Sequence, residues 1–130
     1  MKFNNLIPEL TVFDIEKTKD FYLNRVGFKL EYERKEEKFV FLSFEESQFM
    51  FEELHKEGWN IGELTYPLGR GINFSIKVKD IDELYKHLKS QDISLYRELM
   101  VNRYQAENRM IEQKEFLLQD PNGYLLRFTN

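Results

Sequence analysis

Apolar and polar residues alternate with a period of two at the head of each half of this chain, and each time the alternation gives way to a helical period. Leu10 and Val12 alternate with polar neighbours, as do Phe74, Ile76 and Val78, which predicts a strand at the head of each half. An aspartate follows each strand, Asp14 and Asp80, where a helix N-cap belongs, and Glu83 adds the capping-box position to the second. Apolar stripes Ile15-Thr18-Tyr22 and Ile81-Leu84-Tyr85-Leu88 then predict one amphipathic helix in each half. Three β segments follow. Their turns are expected at Lys35-Glu36-Glu37 and Glu45-Glu46-Ser47 in the first half and at Asp120-Pro121-Asn122-Gly123 in the second, where proline presets φ and Asn and Gly tolerate positive φ.

The two halves are related. Val12, Asp14 and Ile15 overlay Val78, Asp80 and Ile81; "GFKLEY" (27–32) matches "DISLYR" (92–97); "FLSFEESQFMFE" (41–52) matches "FLLQDPNGYLLR" (116–127). Three blocks in the same order indicate a duplicated βαβββ module and an α+β fold. Module 1 spans about 5–54 and module 2 about 72–130, within a single domain of 1–130. Between them, 55–71 holds four of the six glycines and reads as a connector.

The motifs V-x-D-I-E-x-T-x-x-F-Y-x-x-x-x-G-F (12–28), G-I-N-F-x-I-x-V-x-D (71–80) and F-L-x-Q-D-P-N-G-Y-L-L-R-F (116–128) resemble the vicinal oxygen chelate superfamily, the glyoxalase/bleomycin resistance fold. The resemblance covers nearly the whole chain. It implies that each module curls its sheet into a half-barrel, that the halves form a cleft with helices behind, and that the protein is a homodimer. In members with metal chemistry the ligands would fall at Ile7, Glu52, Asn73 and Arg127. The internal repeat pairs Ile7 with Asn73 and Glu52 with Arg127. Only Glu52 is a competent donor for a transition metal, so neither metal nor other cofactor is expected.

Strand alternation puts Leu10, Val12, Phe49, Phe51, Ile72, Phe74, Leu126 and Phe128 toward the helices. Glu9, Thr11, Gln48, Met50, Glu52, Asn73, Ser75, Leu125 and Arg127 then face the cleft. Arg127 would take the place of a metal-binding carboxylate. Glu52 and Arg127 either pair with each other or meet a ligand. The resemblance also places Phe39 where some relatives carry a cleft tryptophan. Trp59, in the connector, is either a stacking ring at the cleft mouth or a plug at a module or subunit contact. The segment 97–116 reads as a long hairpin with a charged tip, the alternative being a flap in which Arg103, Tyr104 and Arg109 cover the cleft. His55 and His87 are expected on the solvated surface, and 31–38 as a charged hairpin tip and nothing more.

Composition narrows the function. A net charge of −4 without a basic stripe excludes duplex nucleic acid as the expected partner and favours cationic ligands. Aromatic residues make up 15% of the chain, and the absence of cysteine removes disulfides and zinc–thiolate sites. No stretch approaches the length of a bilayer span, so no membrane partner is expected and the protein is read as soluble and cytoplasmic. The bleomycin resistance proteins, metal-free members that sequester a drug, give the leading expectation: a small-molecule ligand held by Glu9, Phe39, Glu52, Trp59, Asn73, Tyr104 and Arg127, without catalytic residues. A glyoxalase-like or other divergent enzyme, without metal and using Glu52 and Arg127 to orient its substrate, is the alternative. A purely structural interaction module is the third possibility.

Overall fold

A computed structural model describes residues 2–130. The chain divides into two compact units, the first ending at Leu68 and the second running Gly69–Asn130. The first contains strand β1 (Glu9–Val12), helix α1 (Ile15–Lys19) with a π-helical continuation (Asp20–Val26), and strands β2 (Lys29–Arg34), β3 (Phe39–Phe44) and β4 (Ser47–Glu53). The second contains β5 (Asn73–Lys77), α2 (Ile81–Ser90), β6 (Arg97–Ala106), β7 (Arg109–Gln119) and β8 (Leu125–Thr129). The sheet orders are β1-β4-β3-β2 and β5-β8-β7-β6. In each, the first strand pairs in parallel with the last and the other pairings are antiparallel. The same topology twice is the βαβββ duplication of an α+β fold. No helix among the described residues is long and apolar enough to cross a membrane.

Local chemistry accounts for the helix boundaries. The Asp14 carboxylate accepts from the Glu16 and Lys17 amides at 3.0 and 3.1 Å, and Asp80 accepts from the Glu83 amide at 3.0 Å. At its other end the first helix stops at Gly27, whose φ of 109° suits glycine alone. The amides of Gly27 and Phe28 both donate to the Tyr22 carbonyl, at 3.0 and 2.8 Å. The π-helical turn is the departure from the expected stripe. By widening the helix it brings Phe21, Tyr22 and Val26 to the buried side together. Tyr22 then packs its ring against Phe28 at 5.0 Å and Phe51 at 4.6 Å.

The alternation sorts faces as expected in seven of the eight named apolar positions, Phe74 being half-buried and the others fully buried. Ile72 is the exception. It lies just outside β5, where the sheet no longer dictates its direction, and is 53% exposed. In the second unit Ile76, Leu88, Phe116, Leu118, Leu126 and Phe128 form the core. The segment 97–116 is a long antiparallel hairpin, tightly turned at Glu107-Asn108, with Ala106 paired to Arg109.

The candidate ligand-binding site

On the first sheet, cross-strand register gathers one face. Thr11 lies beside Glu52 and Glu9 beside Met50 on the parallel pair, while Phe39 lies opposite Glu52 and Phe41 opposite Met50. A bulge in β2 extends the set. Leu30 pairs with Leu42, but the next register pair is Tyr32 with Phe41, so Glu31 is the extra residue. The bulge turns Tyr32 and Arg34 onto the face of Phe39 and Phe41. Tyr32 stacks on Phe41 with ring centroids 5.3 Å apart and planes 7° apart. The Arg34 guanidinium lies 3.9 Å from the Phe39 ring centroid and pairs with Glu37.

Of these residues, Glu9, Tyr32, Arg34, Glu37, Phe39, Met50 and Glu52 line an open groove of about 910 Å³, together with Lys38, Glu53, Leu54, His55 and Trp59. Its six carboxylates (Glu9, Glu36, Glu37, Glu52, Glu53 and Glu57) outnumber its two permanent cations, Arg34 and Lys38. Lys38 is engaged by Glu53 at 2.8 Å. The Glu9 carboxyl is held above its ordinary range, first by burial and then by the charge of Glu52, with Arg34 opposing. His55 is bound to Glu52, its Nε2 2.6 Å from the carboxylate. The Glu57 amide donates to Nδ1 at 3.3 Å, which makes that nitrogen an acceptor and assigns the Nε2 proton to the bond with Glu52. Trp59 is 95% exposed, its ring open to the groove.

The second sheet carries a separate polar set. Arg127 donates from Nε to the Asn73 side-chain oxygen at 3.1 Å and from Nη1 to Glu115 at 3.4 Å. Glu115 is buried and also accepts from Asn102 at 3.3 Å. Tyr104 stands exposed on the hairpin, opposite Ile111.

Four of the seven residues expected to hold a ligand, Glu9, Phe39, Glu52 and Trp59, therefore line one groove, and Asn73 and Arg127 touch each other on the second sheet. Within its own unit, Glu52 is partnered by His55 and Arg127 by Glu115. Two expectations need correction. His55, expected as a solvated connector residue, is bonded to Glu52 in the groove wall, because the chain leaving β4 turns back within three residues. The charged run 31–38 is more than a hairpin tip, since Arg34, Glu36, Glu37 and Lys38 form one side of the groove. Strict alternation conceals that role, because the bulge shifts Arg34 relative to β3. Phe39 is placed in the groove floor but is only 2% exposed, its ring face covered by Arg34.

A sequence profile of the glyoxalase/bleomycin resistance protein/dioxygenase superfamily matches residues 6–128. The chain belongs to this superfamily. Bleomycin resistance proteins of Geobacillus stearothermophilus and Staphylococcus aureus are each 28% identical to it, over 94% of this chain and 92% of theirs. A superfamily member from Alicyclobacillus acidocaldarius of known crystal structure is 26% identical, with a TM-score of 0.68 over 97% of this chain and 89% of that one. The crystal structure of a bleomycin-binding protein in complex with bleomycin shares the fold at 23% identity, with a TM-score of 0.64 over 98% of both chains.

Proposed function

We propose that this superfamily member sequesters a bulky, cationic small molecule of the bleomycin type in the groove of its first module, without turnover. The observation that carries the reading is the composition of that groove. An exposed Trp59 ring, a row of carboxylates and a volume of about 910 Å³ suit a ligand with planar and cationic groups. The whole-length similarity to bleomycin resistance proteins supports the ligand class.

The donor set favours binding over metal chemistry. Of the four positions where metal-using relatives place ligands, Ile7 offers no donor and Arg127 is a cation. The amide oxygen of Asn73 already accepts from Arg127. Glu52 alone is a strong ligand, and His55 engages it. These residues do not fit a transition metal, which needs at least three N, O or S donors. The reading includes a homodimer, supported by the large apolar side chains at the surface, among them Phe3, Leu6, Ile61 and Tyr66.

Calorimetric titration with bleomycin tests the proposal. Saturable binding near one drug per chain, weakened severalfold by Glu52→Ala, is the expected result. An absence of binding at millimolar drug overturns it. Light scattering on the unliganded protein tests the dimer, and a monomer mass at micromolar concentration would remove it.

A further inference from the structure

We propose that the groove contains a specific seat for a guanidinium or alkylammonium group, and that Arg34 occupies this seat in the unliganded protein as a built-in competitor. The inference rests on the groove being the binding site and adds where the ligand's cation docks and what it must displace. The Arg34 guanidinium sits over Phe39 at 3.9 Å and is paired with Glu37, with the Tyr32 ring 6.0 Å away. The floor of the seat is fixed: Phe39 is 2% exposed, and Phe41, stacked on Tyr32, is fully buried. Its occupant is not fixed. The Arg34 side chain remains 47% exposed and Glu37 58%.

A surface pair three residues apart and an exposed cation–π contact are each weak interactions. Arg34 also stands at the end of β2, beside the turn Lys35–Glu37, where its long stem can swing outward without breaking sheet pairing. The seat is thus a preformed aromatic and carboxylate surface shielded by a side chain that leaves at low cost. A ligand cation arriving there replaces the Arg34 guanidinium by another cation. The groove keeps its charge balance near Glu9, whose carboxylate the Arg34 charge favours.

The test uses ethylguanidinium as a minimal probe, followed by amide chemical shifts of the full chain at constant ionic strength with sodium chloride as control. Arg34→Ala vacates the seat and is expected to bind the probe about three- to tenfold more tightly than the unchanged protein, with the largest shifts at Glu37 and Phe39. Adding Glu37→Gln, at an exposed position, should remove that gain. Phe39→Leu in the same background should also remove it, and a melting curve reports whether this core change leaves the protein folded. Arg34→Ala binding the probe no better than the unchanged protein overturns the proposal, as do shifts remote from Phe39. Because the probe is not bleomycin, failure of the seat and failure of drug sequestration are read in separate experiments.

Discussion

Replacing Asp120 tests how the β7–β8 connection sets the register that places Arg127 opposite Leu117. Asp120 is 3% exposed, and one of its carboxylate oxygens accepts from the amides of both Asn122 and Tyr124, at 2.8 and 2.9 Å. The other oxygen accepts from the Asn122 side chain at 3.3 Å. Asp120→Ala deletes these acceptor contacts inside the fold. Hydrogen bonds to a charged group contribute roughly 1.5–3 kcal/mol each, and the 3.3 Å contact contributes less, so a loss of about 3–5 kcal/mol is expected. Asp120→Asn keeps an oxygen for the two amides and should lose only about 1–2 kcal/mol, from the weaker acceptor and the third contact. Urea denaturation of the three proteins gives the ranking, and hydrogen exchange along β8 shows whether the loss centres there. Alanine and asparagine variants of equal stability, both within about 1 kcal/mol of the parent, would refute the claim that this carboxylate organises the turn.

Trp59→Ala should leave stability within about 0.5 kcal/mol, since the ring is 95% exposed, while weakening bleomycin binding about fivefold or more; unchanged affinity would remove Trp59 from the site. Gly69→Ala should cost about 2 kcal/mol or more, because φ is +74° and the new Cβ would lie 2.5 Å from the Tyr124 ring. Gly62→Ala, at φ +76° with nothing within 4 Å, should cost only about 1 kcal/mol, and equal losses in urea would discount the steric argument. Glu9 has a folded-state pKa above 4.5, so the stability linked to its proton is full below pH 4.5 and is lost as pH rises through the raised value. Glu9→Gln should therefore gain in melting temperature over the parent only above that window, and a gain independent of pH would contradict the assignment.

How much was legible in the sequence follows from how local each determinant is. The N-caps Asp14 and Asp80 act on amides two or three residues away, and the strand alternation of Leu10-Val12 and Leu126-Phe128 acts through the period of the strand itself. The duplication made the order of elements readable, and the missing donors at Ile7 and Arg127 are facts of residue type. The groove was legible only in part. Glu9, Phe39, Glu52 and Trp59 were readable as candidates and line the groove, but their neighbours Arg34 and His55 were not singled out for it. The bulge at Glu31 carries Arg34 across to the face of Phe39, and a single extra residue in one strand reverses which side of the sheet every later side chain takes. His55 joins Glu52 because the chain folds back as it leaves β4, with the Glu57 amide fixing the ring's tautomer. The π-helical turn that buries Phe21 beside Tyr22 likewise departs from the period on which a helical stripe is read. The sequence by itself determined the duplicated order of elements and the helix caps. The tertiary structure decided which charges meet, because a bulge, a widened turn and a returning loop are set by packing between strands that are distant along the chain.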